Sequence, residues 1–257
     1  MAARGEGSPV RDFLLIAAGF QVFLPMQTLK NSVLLLIALA AASVAPLIFP
    51  AAQAGYGTMA ESARHFLLPG AVILVLVAII GWKSAPAVGK SIVWGGIAGA
   101  IATVGLEVVR ITGFKMGYMP GNLPRLMGVL LLDRFALGPS FTSDLAGWAY
   151  HFWNGASFGM IYALILGASR RWPGTLYGIL VGLGFLVSPV VLSLGVGYFG
   201  LQFSIGFPMT VLTAHIVFGA LLGVLAHRFL SGQPSVLMTE VRVFRIFRVV
   251  KSELKTE

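Results

Sequence analysis

His151-Phe152-Trp153-Asn154-Gly155-Ala156-Ser157-Phe158-Gly159 sets a histidine and an amide one turn apart inside an otherwise apolar segment. Its pattern, H-x3-G-A-x2-G, returns at His215-Ile216-Val217-Phe218-Gly219-Ala220-Leu221-Leu222-Gly223, again within a run long and apolar enough to cross a bilayer. The recurrence is an internal repeat. A polar residue held at one depth of two membrane helices marks a candidate site.

The composition agrees with a membrane setting. Hydrophobic residues make up 57% of the 257, charged residues 11%, and the mean hydropathy is +0.89, which places the chain in the polytopic membrane class. The 32 glycines allow close helix approach. The absence of cysteine excludes disulfides, thiolate metal sites and thiol catalysis. A net charge of +9 would suggest nucleic acid in a soluble protein, but here the basic residues sit at helix ends and in the tail. Anionic lipid is the expected partner there, and nucleic acid is not expected.

Six runs have spanning length: residues 32–54, 66–82, 91–111, 145–168, 175–198 and 209–230. A seventh, residues 12–28, is marginal and can span, re-enter or lie in the interface. Arg11 precedes its apolar stretch as in a secretory signal, yet no small-residue cleavage site closes it, so the run reads as retained. The expected fold is an all-α polytopic helix bundle of six to seven transmembrane helices. It divides into an N-terminal helical section (1–90), a tandem repeat of helix pairs (91–231) and a basic tail (232–257).

Lys30, Lys83, Lys90, Arg170, Arg171 and Arg228 fall on one side if six helices alternate, so that side reads as cytoplasmic and includes the C-terminus. The outer loop 112–144 contains Asn122 and Pro124, which can start a helix. Residues 126–135 are too short to cross and predict an interfacial or re-entrant helix. In the tail, Arg242, Arg245, Arg248 and Lys251 recur every three residues beside Phe244 and Phe247, the pattern of an amphipathic helix lying on anionic lipid.

The repeat extends to pairs of helices if Gly95-x3-Gly99 opens one unit and Gly178-x3-Gly182 the next, each followed by an H-x3-G-A-x2-G helix. Helix packing accounts for these glycines without any site. The polar residues suggest more. Glu107, His151 and His215 each lie roughly 6 to 9 Å inside the outer boundary of the runs above. Arg110 stands one turn from Glu107, and Asn154 one turn from His151. Glu107 is read as the negative charge of the site, Arg110 as its counter-ion, and Asn154 as a supporting hydrogen bond.

Two imidazoles and a carboxylate, His151, His215 and Glu107, can ligate a divalent metal, and opposed histidines can hold a haem iron. The same residues can form a proton or solute pathway, or structural glue. The leading expectation is a non-enzymatic membrane protein whose outer-side cluster binds a metal, haem or small ligand. The alternatives are a proton-coupled or small-solute transporter, and an accessory subunit docked on a larger membrane-protein partner. No hydrolase elbow, phosphate loop or dinucleotide fingerprint is present, because the glycines lie within spanning helices.

Gly96-Ile97-Ala98-Gly99 leading to Glu107 and Arg110, a proline-bearing outer loop, Gly147-Trp148-Ala149-Tyr150-His151, and a last helix with Ala214-His215 followed by arginine resemble the YagU-like family of bacterial inner-membrane proteins of unknown function. The likeness covers about residues 91–228. It implies a multi-pass protein of the bacterial inner membrane without an assigned reaction and with a suggested link to acid tolerance.

Overall fold

Lipid supplies no hydrogen bonds, so a segment crossing it must satisfy its own backbone, and the long runs of Leu, Ile, Val and Ala here do so as helices. In the computed structural model, which describes residues 9–168, 170–233 and 235–243 with side chains from residue 27 onward, the described residues contain no strand. The elements are α1 (Pro9–Gln53), α2 (Met59–Ser62), a π-helical turn (Ala63–Leu67), α3 (Leu68–Ser84) and α4 (Pro86–Lys115). They are followed by α5 (Leu123–Leu131), α6 (Phe141–Leu166), α7 (Trp172–Leu186), α8 (Pro189–Ser193) and α9 (Gly206–Phe229). Prolines stand in the first turns of α3 to α5, α7 and α8, where the missing N–H costs nothing.

Five helical stretches are long and apolar enough to cross a membrane: Gln27–Gln53, Met59–Ser84, Pro86–Lys115, Trp172–Ser193 and Gly206–Phe229. Large apolar side chains such as Leu36, Val72, Ile79, Val108 and Leu180 cover their outer faces, as contact with lipid requires. The 26-residue α6 is long enough as well, but His151, Asn154 and Ser157 lower its apolar share. The run 12–28 is not a separate helix: it belongs to the 45-residue α1, with no turn before the span that follows.

Glycine sets the distances in the core. In the α4–α6 pair, a Cβ on Gly99 would strike the Gly155 carbonyl and the Gly159 backbone. In the α7–α9 pair, a Cβ on Gly174 would strike the Gly219 carbonyl and the Gly223 backbone in the same way. These contacts make Gly99 equivalent to Gly174, Thr103 to Gly178 and Glu107 to Gly182. The repeat of helix pairs is therefore present, but the register expected from sequence is displaced by two turns. The glycines recur every four residues along both helices, so spacing alone does not choose among registers. Backbone contact chooses the one in which Gly95 and Gly99 face Gly159 and Gly155, and Gly174 and Gly178 face Gly223 and Gly219.

The outer loop forms α5, whose Gly128 lies against the Ser143 carbonyl and Gly147 of α6, so the short helix packs on the bundle. At the opposite end, Gln27 donates to the Ser84 carbonyl (3.1 Å). There the buried Glu240 accepts from Asn31 (3.1 Å) and Ser32 (3.2 Å), so the start of the tail is docked on α1. Phe244, Arg245, Phe247, Arg248 and Lys251 lie outside the described residues, and so does the greater part of the expected amphipathic helix.

Candidate functional site

Glu107 and Arg110 lie one turn apart on α4, on the face it turns to the bundle, and both are 5% exposed. Arg110 donates through Nε to Oε1 and through Nη2 to Oε2, each at 2.6 Å. This two-pronged bond matches the planar fork to the carboxylate and cancels both charges in a medium that solvates neither. His151 reaches across from α6, its Nε2 2.8 Å from Glu107 Oε1. Nε2 carries the proton of that bond, because the carboxylate already holding Arg110 can only accept.

Two more residues hold the arginine. Asn122, at the start of α5, accepts from Arg110 Nη2 at 3.3 Å, and the Trp148 ring lies 5.9 Å from the guanidinium carbon. Asn122 entered the sequence reading only as a helix start and Trp148 only within the resemblance. The one signal for Trp148 is its position, three residues before His151 on the same helix face.

His215 does not join this cluster. Its Nδ1 donates to the Val211 carbonyl (2.8 Å), and its ring stacks on Phe185 with centroids 6.1 Å apart. Glu107 therefore binds His151 and not His215, and among the described residues no group of three His, Cys, Asp or Glu is assembled to hold a metal ion. The cause is local: Gly182 stands where the equivalent helix of the first pair has Glu107, so His215 meets no acid. Asn154 also departs from expectation, since its buried Oδ1 has no hydrogen-bond partner and supports neither Glu107 nor His151. Measured from the helix ends, the layer lies about 12 to 15 Å deep, because α4, α6 and α9 run three to four residues past the expected boundaries.

Beside the cluster is a cavity of about 510 Å³, within the size range of small-molecule sites. Arg110, His151, Asn154 and His215 contribute to its wall, and the rest is largely apolar, including Phe49, Leu106, Met127, Phe158 and Val181. It forms because α4 packs closely on both α6 and α9, whereas α6 and α7 lie further apart and are bridged by Tyr177, which donates to the Phe158 carbonyl (3.0 Å). The gap is walled on one side by the break between α7 and α8. Ser188, preceding Pro189, is extended (φ −74°, ψ 158°), as a residue before proline prefers, and its Oγ donates to the Phe185 carbonyl at 2.7 Å. Non-helical backbone at membrane depth is tolerated where it lines such a space.

Three buried polar atoms of residues that line this cavity have no hydrogen-bond partner: Arg110 Nη1, His151 Nδ1 and Asn154 Oδ1. Buried polar groups are nearly always paired, so three among the residues lining one cavity are a property of the site. A second cavity of about 240 Å³ beneath the outer loop shares Met119, Leu123 and Phe185 with the first.

No protein-family model matches the chain, and no curated protein or solved structure shows significant similarity to it.

Proposed function

We propose that this is a multi-pass membrane protein that binds a small, mostly apolar molecule with one polar head in the cavity between α6 and α7. The observation that carries the reading is the set of three unpartnered polar atoms, on Arg110, His151 and Asn154, among the residues that line a largely apolar space. An apolar occupant fits the remaining walls, and its head meets the unpaired groups. A metal is a poorer fit, because Arg110 and His151 already occupy both oxygens of the only carboxylate in the site.

On this reading α6 is a sixth span. Its 26 residues, packed along α4, bring the 170–171 arginine pair to the side of Lys83 and Arg228, which supports a cytoplasmic C-terminus by charge. The basic tail would then meet anionic lipid of that leaflet, and the likeness in helix order to YagU-like proteins supports the bacterial inner membrane.

Gly184 supplies the test. It lines the cavity, and a Cβ there meets nothing within 4 Å. Gly184→Phe should fill the space while leaving the fold intact. Mass spectrometry of organic extracts from equal amounts of folded, detergent-purified protein should find a small apolar compound in the wild type that this variant lacks. Identical extracts would refute the reading.

The break at Ser188-Pro189 favours one second reading, transport of the same occupant. Interrupted helices beside a cavity are the usual construction of a membrane transport site. Reconstituted vesicles would then pass the extracted compound down its gradient at a rate that Gly184→Phe abolishes. Binding without flux would leave the protein a binder.

A further inference from the structure

The head group can be specified from the unpartnered atoms of the lining residues. Arg110 Nη1 is a charged donor and is itself buried. His151 spends its Nε2 proton on Glu107, so in the neutral ring Nδ1 is a lone pair that accepts. Asn154 Oδ1 accepts as well. The head must therefore accept from a cation and donate to an imidazole. An ester or ketone has nothing to donate. An ammonium group would oppose Arg110.

Charge narrows the class further. Glu107 and Arg110 cancel, so an anion arriving alone would leave one uncompensated charge in a nonpolar surround. The other titratable group facing His151 across the space is His215 on α9; the cavity walls from α1, α5, α7 and α8 present none. A carboxylic acid solves both conditions at once. Its O–H bond breaks, an N–H bond forms at His151 Nδ1, and the carboxylate accepts from Arg110 Nη1 and from the new imidazolium. Net charge stays at zero. A half-turn of the Asn154 amide offers its NH2 to the same carboxylate.

Resting on the cavity reading above, we infer that the site takes a monocarboxylic acid with an apolar chain, bound as a carboxylate on Arg110 with its proton on His151. The chain lies along Phe158 and Val181, in the gap between α6 and α7.

Native mass spectrometry in non-ionic detergent, with lauric acid, methyl laurate and dodecanol as probes, tests this. Lauric acid should bind one to one, at least tenfold more tightly than the ester or the alcohol. Above neutrality, where the free acid is ionised, its affinity should fall about tenfold per pH unit, since each molecule bound takes up one proton. Arg110→Lys keeps the charge but removes the spare nitrogen of the fork and should weaken the acid at least tenfold. Gly184→Phe should abolish binding of all three probes. Equal binding of the three in the wild type, lost in Gly184→Phe, overturns the carboxylic acid and leaves the cavity reading standing. A pH-independent affinity overturns the proton on His151. No binding of any probe, or binding indifferent to Gly184→Phe, overturns the acid and the cavity together.

Discussion

The two helix pairs share a packing surface and differ at the positions beside it. Gly99 and Gly155 bring α4 against α6 as Gly174 and Gly219 bring α7 against α9. Two and three turns further out, Glu107 and Arg110 occupy the places that Gly182 and Phe185 occupy in the second pair. His151 consequently bonds a carboxylate through Nε2, whereas His215 turns back to the Val211 carbonyl through Nδ1 and lies on Phe185. The same H-x3-G-A-x2-G helix makes a charged site in one setting and a packed ring in the other. Glycine spacing governs how closely backbones approach; the residue facing the histidine governs what the approach holds.

The largest expected effect separates the pairs directly. Arg110→Leu leaves Glu107 ionised without its counter-ion, and losing one partner of a buried pair costs about 3–5 kcal/mol. Phe185→Leu, at the matching place in the second pair, removes apolar contacts worth about 1 kcal/mol. Unfolding in detergent, followed by circular dichroism, should show that gap. Equal losses would mean that the ion pair contributes little beyond packing.

Much of the fold could be read from the chain because apolar length and helix geometry are both local. The runs at 32–54, 66–82, 91–111 and 209–230 fall on the candidate spans Gln27–Gln53, Met59–Ser84, Pro86–Lys115 and Gly206–Phe229, with ends that differ by one to seven residues. The Glu107–Arg110 pair was equally legible, since a three-residue spacing puts both on one helix face. Longer-range features were not. The cavity arises from the splay of α6 from α7, a relation between elements that no residue pattern encodes. A proline at 189 signals a helix break, but not that the break walls a binding space. The repeat's register was ambiguous because a glycine every fourth residue looks the same after a shift of one or two turns. On its own helix His215 matches His151; the difference lies at Gly182, on the neighbouring one.

A smaller effect sharpens the contrast between the histidines. His151→Leu removes a hydrogen bond to a charged group, worth about 1.5–3 kcal/mol, while Arg110 still neutralises Glu107. His215→Leu removes one bond to a backbone carbonyl, worth about 1 kcal/mol, and leaves an apolar side chain against Phe185. The two variants should therefore unfold at measurably different denaturant midpoints. Matching midpoints would place the two histidines in equivalent environments and remove the asymmetry between the pairs.

The smallest effect has the opposite sign. Gly184 sits in the last turn of α7, where glycine costs at most about 0.5–1 kcal/mol relative to alanine, and an added methyl group meets nothing within 4 Å. Gly184→Ala should stabilise the protein by about that amount in the same unfolding assay. The glycines of the helix contacts cannot behave this way: a Cβ at Gly178 would strike the His215 carbonyl, so Gly178→Ala must push α9 away and lose stability. Two alanine substitutions six residues apart on one helix thus separate glycine that lets backbones touch from glycine that leaves room for something else. A loss of stability at Gly184 would mean that the gap between α6 and α7 closes in the membrane, and the charged half of the molecule would then have no space beside it to serve.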